Sequence, residues 1–112
     1  PFVVGPAVER KVGTSAFSAM TINATKWFDA SWAREKGLYT EVFDSVEEMD
    51  VEIDKLATTL STSNPEAMEG LKKVMWEGTD HWDTLLMERA VCSGSLVLSD
   101  FTRNAISKFK KK

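Results

Sequence analysis

Few residues in this sequence are of a type that does chemistry, and their spacing limits what each can do. His81 is the only histidine. Flanked by Asp80 and Asp83, it has the neighbours of a general acid or base. Adjacent residues at a helix start point in different directions, however, and a solvated helix start accounts for the same letters. Cys92 is the only cysteine. It stands among small and apolar residues and far along the chain from His81, so it reads as a buried thiol and not as a nucleophile. One cysteine and one histidine exclude an internal disulfide and a Cys/His zinc centre, so no metal ligands are expected and the chain reads as intracellular, of the cytoplasm.

Two charged clusters remain. Seven carboxylates fall between Glu41 and Asp54 without one Lys or Arg. Their order matches neither a calcium loop nor a paired-carboxylate site, whereas a helix start and a solvated face explain most of them. At the other end, Lys108, Lys110, Lys111 and Lys112 follow Phe101 and lie around Phe109. They read either as a solvated helix end that satisfies the macrodipole or as a phosphate contact for the adenosine end of a nucleotide cofactor.

The chain that must position these groups has 112 residues, with 14 Lys+Arg against 17 Asp+Glu and a net charge of -3. That balance gives no whole-chain attraction to nucleic-acid phosphates or anionic lipid. No apolar run reaches the length of about 20 residues that spans a bilayer, so neither nucleic acid nor membrane is an expected partner. The length suits one domain that buries roughly two thirds of what its unfolded chain exposes. Its first residues, Pro1 to Pro6, carry neither a starting Met nor a basic leader and read as internal to a longer protein.

The pattern is mainly α. Prolines and glycines between Pro1 and Gly13 surround one or two helical turns over Ala7–Val12, closed by Gly13. A buried helix is expected over Ser15–Ala24, and a two-turn helix between an Asp29 N-cap and a Gly37 stop. Leu38–Phe43 is the one plausible strand, and no downstream run can partner it. Ser45-Val46-Glu47-Glu48 has capping-box spacing ahead of Met49, Ile53, Leu56 and Leu60. Asn64-Pro65 restarts the chain into a helix carrying Met68, Leu71, Val74 and Met75, which Gly78 should end. A longer helix is expected from His81 to Leu98 despite Gly94, and a last one behind Ser99 or Asp100. Trp27, Trp32, Trp76 and Trp82 read as core or interface anchors and suggest subunit contact.

The string from Ala33 to Phe43, Ala-Arg-Glu-Lys-Gly-Leu-Tyr-Thr-Glu-Val-Phe, with the helix before it and Asp-Ser-Val-Glu-Glu after it, resembles the second half of an enoyl-CoA hydratase of the crotonase superfamily. Asn64-Pro65-Glu66-Ala67, Lys72-Lys73, Glu88-Arg89 and Ser99-Asp100-Phe101-Thr102 extend the resemblance, and the order of elements fits over the whole chain. It implies that residues 1–43 end a ββα-spiral core, with the strand's partners upstream, and that residues 44–112 form a C-terminal helical oligomerisation region. It also implies a homo-oligomer, a trimer or a dimer of trimers, acting in fatty acid metabolism. The family adds water across the double bond of a 2-enoyl-CoA thioester by means of two glutamates and two oxyanion-hole amides.

By this resemblance the catalytic groups precede Pro1, so the chain contains none of them, Glu9 included, and should be inactive alone. No prosthetic group is implied; coenzyme A enters as the acyl-CoA substrate. A basic residue of the last helix touches the CoA adenosine moiety in the family, and Lys111 is the closest match; a register shifted by two or three residues selects Lys108 or Lys110. The sequence departs from the family pattern at Pro1–Pro6 and at Asp100–Asn104. Alternatives are a noncatalytic helical oligomerisation module and another crotonase activity, such as enoyl-CoA isomerase, methylglutaconyl-CoA hydratase or acyl-CoA hydrolase.

Overall fold

In a computed structural model that describes residues 1–109, the chain forms six helices in the order α1 (Gly5–Ile22), α2 (Ala30–Glu35), α3 (Val46–Ser61), α4 (Pro65–Met75), α5 (Trp82–Val97) and α6 (Asp100–Phe109). The expected mainly helical class holds. Helix starts follow from local chemistry. The Trp32 amide donates to Asp29 Oδ1 at 2.7 Å, the Glu48 amide to Ser45 Oγ at 3.2 Å, and the Ala67 amide to Asn64 Oδ1 at 3.1 Å. Each caps an amide that has no intrahelical acceptor, which stabilises a helix by about 1 kcal/mol. Ser99 does the same for α6, accepting from the Thr102 amide at 3.3 Å.

Glycine sets two of the breaks. At Gly13 (φ 78°, ψ 161°) the backbone leaves helical geometry and α1 kinks, so the expected short helix and its successor are two halves of one element. Glu9 spans this kink by accepting from Thr14 Oγ1 at 2.8 Å. At Gly37 (φ 79°) α2 ends in a Schellman pattern, with the Gly37 amide donating to the Arg34 carbonyl and the Leu38 amide to the Ala33 carbonyl.

The expected strand is not formed: Leu38–Phe43 is an irregular connection, bent over Leu38–Thr40. Its first two amides, of Leu38 and Tyr39, are both spent on the Ala33 carbonyl. No neighbouring strand stands among the described residues to draw them into a ladder, and a lone strand has nothing to bond with.

The helices do not enclose a common core. Among the described residues the buried hydrophobics are Ala16 and Ala33, and the only helices whose backbones come close are α5 and α6, which are joined by two residues. The radius of gyration is 18.9 Å, against about 13 Å for a compact domain of this length. The accessible surface is 9475 Å², roughly half as much again as the ~6,200 Å² of a compact monomer of equal mass. The chain thus buries about half of its unfolded surface and not the two thirds its length suggests. The apolar stripes of α3, α4 and α5 each stand largely in the open.

Candidate functional site

Two concavities organise the exposed apolar surface. The larger, of about 1000 Å³, lies between the connection Leu38–Phe43 and α3. Its position follows from the Ser45 cap, which starts α3 immediately after Phe43 and turns the helix's stripe of Met49, Ile53 and Leu56 toward Tyr39 and Val42. Polar residues on its wall include Glu41, Asp44 and Glu52, with Lys55 bonded to Glu52 at 2.5 Å. The result is an apolar trough in acidic surroundings, suited to an apolar segment that carries positive charge.

The smaller concavity, of about 340 Å³, gathers Trp27, Phe28, Trp32 and Tyr39 with Met20 and Lys26. Phe28 and Trp32 stand with ring centroids 4.1 Å apart, and the Lys26 ammonium lies 5.0 Å from the centre of the Phe28 ring. Trp27 is 93% exposed. Of the four tryptophans, only Trp76 and Trp82 meet each other, edge to face at 5.9 Å. They serve as local anchors of the α4–α5 turn and leave Trp27 without a packed environment.

The residues singled out for chemistry are not brought together. His81 is exposed at the start of α5 and makes no side-chain cap there. Cys92 is half-buried, not the enclosed thiol expected from its neighbours, because the packing around the middle of α5 is open. No group of three or more His, Cys, Asp or Glu side chains able to hold a metal occurs among the described residues. Lys108 is exposed in the last turn of α6. Lys110 and Lys111 lie outside the described residues.

One polar relationship was not legible in the sequence. Arg10 Nη2 donates to the Met75 carbonyl at 2.8 Å and to the Glu77 carbonyl at 2.9 Å, tying α1 to the end of α4. The sequence signal was weak, a basic residue beside Glu9, whose carboxylate bonds Thr14 instead. Its acceptors are backbone atoms far along the chain, which no periodicity announces.

Comparison of the chain with protein-family models, curated proteins and solved structures gave no match. No helix among the described residues is long and apolar enough to cross a membrane.

Proposed function

We propose that this chain is the C-terminal helical portion of a crotonase-like enoyl-CoA hydratase, which supplies subunit contacts and part of the acyl-CoA pocket of a larger enzyme. The observation that carries the reading is the excess of exposed apolar surface. Leu56, Val74, Met75, Met87 and Val91 all stand out of any core, on α3, α4 and α5, of which α3 and α4 carry side-chain N-caps. Capped helices with open apolar faces are what an oligomerisation region presents when its neighbours are removed. The unpaired connection Leu38–Phe43 supports the same reading, since upstream strands of a spiral core would give its backbone a partner.

In this reading the carboxylates and amides that hydrate the double bond lie upstream of Pro1, and the terminal lysines, Lys111 foremost, meet the phosphates of the CoA adenosine moiety. Coenzyme A is then substrate and not a resident cofactor, and the assembly is a trimer or a dimer of trimers. The test is direct. The 112-residue chain should give no turnover of crotonyl-CoA, whereas the longer product of the same reading frame should hydrate it. Loss of an acid/base group alone costs about 10²- to 10⁴-fold, so the contrast is measurable. Turnover by the isolated chain, or a longer product without activity toward enoyl-CoA esters, would contradict the proposal. The second outcome would favour a noncatalytic helical oligomerisation module, which the exposed apolar faces support equally.

A further inference from the structure

The trough against α3 is matched in shape and charge by α6. Between residues 41 and 55 stand seven carboxylates and one lysine, and that lysine, Lys55, is already paired with Glu52. On α6, Phe101, Ala105 and Phe109 recur every four residues and so share one face of the helix, with Ile106 beside them. Phe101 is 85% and Phe109 81% exposed. From Asp100 to the last residue the sequence holds five cations, Arg103 and Lys108 among them, against the single carboxylate of Asp100. Among the described residues neither Arg103 nor Lys108 is in an ion pair.

The lengths also agree. The trough runs along α3 from Val46 to Thr59, about 20 Å of helix, and the ten residues of α6 span about 15 Å. Within one chain the pairing is not made, because the backbone of α6 approaches no helix but α5, which directly precedes it, and does not come near α3.

The geometry points to a second copy of this chain as the occupant: α6 of one copy lies in the trough between Leu38–Phe43 and α3 of another. A second copy meets the charge requirement without a further partner, since each chain carries both the acidic trough and the basic helix. It also suits the area. The accessible surface exceeds that of a compact monomer by roughly 3,000 Å², more than the ~800 Å² that each partner gives to a stable interface. Upstream strands that bond to the backbone edge of Leu38–Phe43 would leave the side-chain floor of the trough open. The inference rests on the self-association part of the proposed function and not on the hydratase activity.

The experiment is a complementation by sedimentation velocity, using the 112-residue chain and two variants. Ile53→Glu places a charge on the trough floor, and Phe101→Glu places one on the face of α6; Glu is a good helix former, so both helices should persist by circular dichroism. Wild type should self-associate, more weakly at high salt because opposite charges are matched. Each variant alone should lose association by about tenfold or more. An equimolar mixture of the two should recover it, because the intact trough of one variant can receive the intact α6 of the other. Leu56→Glu with Phe109→Glu forms an independent second pair.

Variants that associate like wild type would overturn the inference. So would a mixture no more associated than its components, the result if α3 pairs with α3 or the trough holds a different partner. With wild type still associating, those outcomes leave the self-association reading standing; a wild-type chain that stays monomeric at high concentration removes both.

Discussion

Arg10 and Met75 are 65 positions apart in sequence and joined by a 2.8 Å hydrogen bond from the guanidinium to the last carbonyl of α4. The same Nη2 atom reaches the Glu77 carbonyl at 2.9 Å. A cation placed at a helix C-terminus meets the negative end of the helix dipole and satisfies carbonyls that the helix cannot. In a chain whose helices share so little packing, this one side chain does much to fix α1 against the α4–α5 turn.

Arg10→Ala should therefore destabilise the chain by about 1 kcal/mol, read from the urea midpoint at constant slope. Hydrogen exchange should speed up between Trp76 and Thr79, beyond the end of α4. Arg10→Lys should restore only part of the loss, because both bonds leave Nη2, which stands one bond further from Cα than a lysine ammonium, and because the ammonium is more strongly hydrated. Unchanged exchange in that turn on removal of Arg10 would show the contact to be incidental.

Two glycine-to-alanine substitutions should have opposite signs. At Gly13 a Cβ would meet no atom within 4 Å, so space is not the difficulty; the backbone at φ 78° and ψ 161° is. Alanine there should cost about 1–3 kcal/mol or straighten the kink. Gly94 also faces open space but has helical backbone within α5, so Gly94→Ala should stabilise by about 0.5–1 kcal/mol. Thermal unfolding of the pair reads both, and a destabilised Gly94→Ala would mean that a neighbouring chain approaches α5 at that point.

Asn64 caps α4 through the Ala67 amide. Asn64→Ala should lower stability by about 1 kcal/mol, and Asn64→Asp should hold it, because the carboxylate keeps the acceptor and favours the positive end of the helix. Equal unfolding midpoints for wild type and Asn64→Ala would show that tertiary contacts alone hold the start of α4.

In the full-length enzyme of the proposed reading, Lys111→Ala should weaken binding of CoA esters by about 0.5 to 1.5 kcal/mol, roughly two- to tenfold, and less at high salt. Turnover at saturation should scarcely change, since a contact equal in ground and transition states alters KM and not kcat. Equal CoA-ester binding by wild type and by a variant with Lys110, Lys111 and Lys112 all changed to Ala would reduce the cluster to a solvated helix end.

The sequence by itself determined four helix starts and two helix breaks. Asp29, Ser45, Asn64 and Ser99 cap because each carries a short side-chain acceptor ahead of amides with no intrahelical partner. Gly13 and Gly37 break because they adopt positive φ at low cost. These are decisions made within a few residues, and local chemistry suffices for them. Tertiary structure alone decided three other matters. Leu38–Phe43 has the side chains of a strand, but a strand exists only through a neighbour, and its amides turned to Ala33 instead. Arg10 found carbonyls at the far end of α4 through the placement of α1. The apolar stripes, each legible in its own helix, remained largely uncovered, because periodicity shows which face of a helix is apolar and carries no record of what will lie against it.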